Sequence, residues 1–135
     1  MSRARVLVHH RVPDGRPDAV EDAYRAAARD LAGVPGLLGT ELLDVPGDPA
    51  ARVLLMDWTS VERYRTWEER HRAAGHPSPL RAFQDRARPG GHHHLFVLAA
   101  RYPAAPPEPP PAGAGSSDPV SSEPEPDENK EIRIP

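Results

Sequence analysis

Four side chains of different chemistry share one face of a predicted helix in the middle of the chain. The helix follows a predicted strand that ends at Trp58. At 100° per residue, Tyr64, Trp67, Glu68 and His71 fall within about a third of the helix circumference. A phenol, an indole, a carboxylate and an imidazole would make a poor dry core. They are better suited to lining a pocket for a flat, partly polar ligand.

Proton transfer is the chemistry that this face could supply. A histidine suits a general base because its ordinary pKa lies near neutrality, and we expect His71 to turn inward beside Tyr64 and Trp67. Tyr64 could then donate a hydrogen bond to a substrate oxygen. The alternatives are that His71 is solvated or bonded to Glu68 at the helix end, and that Tyr64 only satisfies a backbone carbonyl.

The two tryptophans could form aromatic walls for a planar ligand. Trp67 belongs to the helix face, and Trp58 ends the preceding strand. Trp58 shares a strand face with Leu54 and Met56, so a plain core position is the alternative for Trp58. Met56 is expected beside the ligand on the same face.

Histidines also occur at the ends of two predicted strands, as His9 and His10 and as the run His92–His94. On a strand, His92 and His94 face one way and His93 the other. With His10 from the neighbouring strand, His92 and His94 could bring three imidazoles together, enough for zinc or non-haem iron. No carboxylate is placed to complete a facial triad, so a His-bound metal is the less favoured interpretation. The other interpretation is that these histidines relay protons at the mouth of the cavity.

The chain of 135 residues divides into two parts of different composition. From residue 103 onward it is rich in Pro, Ser, Ala and Glu, and seven acidic residues stand against two basic ones. We therefore predict a globular domain at residues 1–102 and a disordered acidic tail at 103–135. Docking of Glu131–Ile134 on a sheet edge is the alternative for the tail.

Composition also argues against several classes of protein. Scattered arginines form no basic stripe, so nucleic-acid binding is not expected. The absence of cysteine excludes thiol catalysis, disulfides and thiolate metal sites. No apolar run approaches about 18 residues, and no signal peptide is evident, so we expect no membrane association and a cytoplasmic location. A body of this size buries only a small core, which a dimer would enlarge.

The predicted elements alternate in a recognisable order. Hydrophobic patterning and breaker residues place strands at 4–12, 37–45, 51–58 and 92–102, helices at 17–32 and 60–74, and a short helical piece at 80–86. The order β-α-β-β-α-(α)-β predicts an α+β, ferredoxin-like split βαβ fold with one antiparallel sheet backed by two helices. The first and last strands then pair, which brings His9 and His10 near His92–His94.

Three sequence features resemble the antibiotic biosynthesis monooxygenase family of dimeric α+β barrels. They are Val34–Gly36 leading into a strand, the strand end Leu55–Ser60, and Tyr64 six residues after Trp58 with Trp67 and His71 following. The resemblance covers about residues 4–102. It implies a homodimer whose sheets pack face to face, with a cavity between each sheet and its own helices.

Known members of this family differ in chemistry, so the resemblance leaves the reaction open. The family includes cofactor-free oxygenases that convert anthrone-like phenols to quinones with molecular oxygen, and related barrels include polyketide cyclases. Trp58 and Tyr64 match the spacing of the oxygenase branch. Leu54 stands where that branch has an asparagine, and Arg81 is the nearest candidate for its arginine after the second helix.

A haem-degrading branch of the family offers another comparison. That branch uses an asparagine on strand one, near which His10 lies here, and a histidine about ten residues after the helix tryptophan. His76 lies nine residues after Trp67. Gly75 and Pro77 break the helix at this point, so haem is less favoured than a cofactor-free reaction.

Three hypotheses follow. The first is a cofactor-independent monooxygenase of secondary metabolism acting on a phenolic, polycyclic polyketide-type substrate, with catalytic roles for His71, Tyr64 and His10 and substrate contacts from Trp58, Trp67, Arg81 and Met56. The second is a redox-neutral cyclisation or dehydration in the same cavity with His71 or His10 as acid/base, which the absent asparagine favours. The third is a non-enzymatic ligand-binding module that uses the acidic tail as its contact segment.

Overall fold

The computed structural model describes residues 2–104 and confirms the predicted ferredoxin-like α+β fold. Its elements are β1 (Ala4–Arg11), α1 (Ala19–Leu31), β2 (Leu37–Val45), β3 (Asp48–Trp58), α2 (Val61–Ala73), a 3₁₀ turn (Arg81–Phe83) and β4 (His93–Val97). Within residues 2–104, neither α-helix combines the length and the apolar character needed to cross a membrane.

The compact unit that contains these elements ends at Ala100. The predicted domain boundary at residue 102 stays a prediction. So does the predicted disordered tail at 103–135, because residues 105–135 lie outside the described part of the chain.

Two strands differ in length from their predicted extents. β3 begins at Asp48, three residues earlier than predicted, because Val45 already pairs with Asp48 across a loop of only Pro46 and Gly47. The backbone of Gly47 has a φ of 84°, which suits so tight a turn. β4 ends at Val97, so the apolar residues after it belong to irregular chain and not to the predicted longer strand.

The four strands form one antiparallel sheet in the order β2-β3-β1-β4. Val8 of β1 lies opposite Leu54 of β3 on one side and opposite His93 of β4 on the other. The backbone N–H of His9 donates to the carbonyl of His92 over 2.7 Å. The predicted proximity of the histidines of strands one and four is therefore confirmed.

Both helices pack on one face of this sheet. Alternate β1 residues, Val6, Val8 and His10 among them, are buried on that face. The helices contribute Val20, Ala27 and Tyr64 to the same core, the remaining members being Ala4, Leu54, Met56, Trp58 and Leu80. The period of two along the strand produces this separation of faces.

The junction between β3 and α2 is held by aromatic packing and by a helix cap. The Trp58 side chain is fully buried, and its ring lies 5.6 Å from that of Tyr64 and 5.5 Å from that of Trp67. Ser60 caps α2, because its hydroxyl accepts a hydrogen bond from the backbone N–H of Arg63 over 3.2 Å. Trp58 before the cap and Tyr64 and Trp67 after it thus pack into one aromatic cluster.

A glycine before β2 fits closely against α2. Gly36 has a φ of 87°, and a Cβ at this position would lie 2.5 Å from Cβ of Arg63. Gly33 has a similar φ of 77° with nothing within 4 Å of an added Cβ.

We predict that Gly36→Ala lowers the free energy of unfolding by about 2–4 kcal/mol, because backbone strain and a steric clash add. Gly33→Ala should lower it by only about 1 kcal/mol, from backbone strain alone. Urea denaturation of both variants checks this, and equal losses would contradict the close approach.

Candidate functional site

A cavity of about 820 Å³ lies between α2 and the helix-facing side of the sheet. Tyr64 is the one α2 residue that is buried, while Trp67, Glu68 and His71 are only half-buried. The polar face of α2 therefore does not close onto the sheet. The apolar floor comes from the sheet, and the wall comes from α2, from the segment that follows it and from the end of α1. The floor residues are Val6, Val8, Leu54 and Met56. The rim residues are Ala27, Asp30, Leu31, Arg72, Ala74–Pro79, Arg81 and Gln84.

Six of the seven residues predicted from sequence to form the site line this cavity: His10, Met56, Tyr64, Trp67, His71 and Arg81. Trp58 does not, because its side chain has no exposed surface and lies behind Tyr64 and Trp67. The prediction that Trp58 contacts a ligand is therefore corrected. Trp58 supports the wall from the core, as the alternative interpretation held.

His71 lies against the indole of Trp67. The two rings are nearly parallel, with centroids 4.9 Å apart and planes inclined by 16°. Glu68, the partner considered for a helix-end histidine, instead accepts a hydrogen bond from Tyr64. His71 thus lines the cavity as a ring stacked on Trp67.

His10 is the most deeply buried titratable group in the wall, with 1% of its surface exposed. Nδ1 lies 2.9 Å from the carbonyl oxygen of Val8, which can only accept, so Nδ1–H donates. Nε2 has no hydrogen-bond partner among residues 2–104. Burial lowers the pKa of His10 to about 4, which keeps the imidazole uncharged at neutral pH.

Tyr64 is held between two polar side chains. Its Oη lies 2.8 Å from Oε2 of Glu68, to which it donates, and 2.7 Å from Nε2 of His93. Burial, followed by the carboxylate of Glu68, raises the pKa of Tyr64 above its usual value. Since the only hydroxyl proton is already donated to Glu68, the predicted role of Tyr64 as a donor to the substrate is corrected.

The histidines divide between the two faces of the sheet in a way that the sequence analysis predicted wrongly. His93 lies on the cavity side with His10, whereas His94 lies on the opposite face, 5.7 Å edge-to-face from His9. The predicted grouping of His10 with His92 and His94 is wrong because the β1–β4 register pairs Val8 with His93. In residues 2–104, no three His, Asp or Glu side chains are placed to hold a metal ion.

His76, the candidate histidine for binding a haem iron, is poorly placed for that role. His76 lines the cavity, but it is exposed on the irregular segment after α2. No hydrogen bond from the rest of residues 2–104 orients its ring, whereas a metal-binding histidine normally has its second ring nitrogen held by a partner. His76 is therefore not assigned a role in metal binding.

The buried imidazole makes stability depend on pH. In the unfolded chain His10 binds a proton near pH 6.5, but in the folded protein only near pH 4, so acid favours unfolding between these values. We predict that the free energy of unfolding falls by up to about 3 kcal/mol as pH drops through this window. The stabilisation is complete above pH 6.5.

Urea denaturation of His10→Gln at several pH values between 4 and 7 tests this effect. Most of the acid-dependent loss should vanish in the variant, while the exposed control His76→Gln should retain it. His9, whose pKa is also lowered by burial, contributes equally to all three proteins. An unchanged slope in His10→Gln would show that the imidazole is not buried as described.

Comparison with known proteins gives a family for most of the folded body. Residues 4–76 match the family model described as antibiotic biosynthesis monooxygenase. No curated protein sequence matches the chain significantly.

Several solved structures share the fold. SnoaB, a cofactor-independent oxygenase from Streptomyces nogalater, is 23% identical with a TM-score of 0.54, covering 77% of this chain and 98% of its own. A heme-degrading protein from Mycobacterium tuberculosis is 20% identical with a TM-score of 0.53, over 76% and 98% of the two chains. A conserved protein of unknown function from Bacteroides thetaiotaomicron is 15% identical with a TM-score of 0.55, over 72% and 98%. At these identities the similarity establishes the fold alone.

Proposed function

We propose that this chain, which belongs to the antibiotic biosynthesis monooxygenase family, oxidises a phenolic, polycyclic polyketide-type substrate with molecular oxygen and without a cofactor. The observation that carries the proposal is the cavity of about 820 Å³, which has an apolar floor, an aromatic wall in which His71 stacks on Trp67, and the buried imidazole of His10. Such a space suits a planar ring system with a few polar substituents.

The proposed reaction begins with removal of a proton from an anthrone-type methylene. The resulting anion transfers an electron to O₂, and recombination gives a peroxide anion at the same carbon, which takes the proton back from the base to form a hydroperoxide. Loss of the second methylene proton and of hydroxide from the peroxide leaves a carbonyl, so CH₂ and O₂ become C=O and water. The protein must supply a base, exclude water and hold the anion.

His71 is the better candidate for the base. With a pKa of about 4, His10 is a weak proton acceptor at neutral pH, so we assign it a hydrogen-bonding role. His71 is stacked on Trp67 and lines the cavity together with it. Met56 contacts the substrate from the floor, and the guanidinium of Arg81, on the 3₁₀ turn, stabilises the developing oxyanion.

A redox-neutral cyclisation or dehydration is the second candidate. Leu54 lies in the cavity floor, at the position where the resembling oxygenases have an asparagine. A hydrocarbon side chain cannot donate a hydrogen bond to a developing oxyanion. This feature favours proton transfer by His71 or His10 without oxygen chemistry.

Oxygen uptake in the presence of anthrone tests the first function. We predict consumption of one O₂ per quinone formed, without added metal, haem or flavin. His71→Gln should lower kcat by about 10²–10⁴-fold, the usual contribution of a general base. The control His92→Gln should change kcat less than about threefold, since His92 does not line the cavity.

Two results would contradict the assignment. Full activity of His71→Gln would remove His71 from the mechanism. Product formation under anaerobic conditions, with no oxygen consumed in air, would favour the cyclisation reaction instead.

We also infer that two copies associate through the sheet face opposite the helices. In residues 2–104 no helix covers this face, where Leu7 lies opposite Leu55 and Leu43 lies opposite Val53. Phe96, on the same face of β4, is 54% exposed. Asp57 on this face forms ion pairs with Arg3 and Arg5, which compensate its negative charge. An apolar sheet surface of this kind favours burial against a second copy.

Sedimentation equilibrium tests the association. We predict a mass of twice the 14.8 kDa chain for the wild-type protein. Leu55→Glu should shift the equilibrium to monomer, because it places a charge at the centre of the contact. Arg65→Glu, on the exposed side of α2, is the matched control and should remain dimeric. A wild-type monomer at micromolar concentration would contradict the inference.

A further inference from the structure

Four polar side chains in the cavity wall form a group that is called here the acceptor cluster: His10, Tyr64, Glu68 and His93. The hydroxyl of Tyr64 is hydrogen-bonded to Glu68 on α2 and to His93 on β4. His10 lies on the adjacent strand β1, two residues beyond the partner of His93 in the register. The protons of this cluster can be assigned by counting donors and acceptors.

The hydroxyl of Tyr64 fixes the first assignments. Tyr64 has one proton, and it donates that proton to Oε2 of Glu68 over 2.8 Å, because a carboxylate has none to give. The 2.7 Å contact between Oη of Tyr64 and Nε2 of His93 must then be donated by Nε2–H. In neutral His93 this leaves Nδ1 without a proton, as an acceptor.

The remaining atoms of the cluster are acceptors as well. Oε1 of Glu68 makes no hydrogen bond within residues 2–104, and the Arg72 guanidinium lies 3.7 Å from Oε2, at the distance of an ion pair. His10 donates through Nδ1–H to Val8, so its unpaired Nε2 carries a lone pair. The cluster therefore has no proton left to donate, and it retains unpaired acceptor atoms.

We propose that the acceptor cluster selects a ligand through a neutral hydrogen-bond donor, the hydroxyl of a phenol or enol. Oxygen atoms without a proton, as in an ether or a ketone, would meet only acceptors at these four side chains and would lose their hydrogen bonds to water. The proposal rests on the proposed function for the aromatic nature of the ligand, and it adds which substituent enters this side of the cavity.

Ligand binding tests this selectivity without any reaction. The probes are 2-naphthol and 2-methoxynaphthalene, which differ in one hydroxyl proton, and isothermal titration calorimetry at pH 8 measures both dissociation constants. We expect wild-type protein to bind 2-naphthol at least about fivefold more tightly, as one hydrogen bond would give. Apolar burial alone would favour the methyl ether, which is the larger and less polar probe.

Two variants assign the preference to the cluster. Glu68→Gln places an amide N–H₂ donor in the cluster, and Tyr64→Phe removes the hydroxyl on which its geometry depends. We expect each to reduce the preference for 2-naphthol to less than about twofold. Glu69→Gln makes the same chemical change at the next residue, which is exposed and does not line the cavity, and should retain the wild-type preference. Circular dichroism checks that each variant is folded.

Three results would overturn the proposal: no detectable binding of 2-naphthol to the wild-type protein, equal binding of the two probes, or an unchanged preference in both cluster variants. The outcome is separate from that of the oxygenase test. A protein that selects 2-naphthol but consumes no oxygen with anthrone would disprove the oxygenase function and leave the acceptor cluster supported.

Discussion

The packing of Trp58 against Tyr64 and Trp67 is the interaction on which the rest of the site depends. Trp58 is the last residue of β3, and its burial fixes where α2 begins and how it crosses the sheet. Beyond this contact α2 presents half-buried polar groups to an apolar sheet face, so the two surfaces do not close on each other. The hollow is thus a consequence of the helix sequence: an aromatic anchor at one end and a polar face along the remainder.

The same anchor determines the polarity of the hollow. Burying Tyr64 requires partners for its hydroxyl, because an unpaired buried polar group costs about 1–3 kcal/mol. Glu68, one helical turn along, and His93, across on β4, provide them. Because the Tyr64 hydroxyl needs these partners, its proton is donated to Glu68 and is not available to a ligand. The packing of Tyr64 thereby also determines which ligands can form hydrogen bonds here.

Periodicity and element order predicted much of this structure, whereas pairing details lay beyond them. The α2 face with Tyr64, Trp67 and His71 followed from 3.6-residue spacing, because that spacing is local. The grouping of His10 with His93 depends on the β1–β4 register, and a shift of one residue exchanges every side chain between faces. The bond between Tyr64 and His93 could not be predicted for the same reason. The full burial of Trp58 reflects its place at the strand–helix junction, which strand alternation alone does not specify.

A crystal structure of the protein soaked with 2-hydroxyanthraquinone tests the central claim most directly, namely that this hollow accepts a planar polycyclic guest. The account predicts density for the three fused rings between the sheet floor and α2, in contact with Trp67 and Met56, with the imidazole of His71 facing the guest. A hollow filled by aliphatic side chains, with His71 turned to solvent and the compound bound only on the surface, would contradict it.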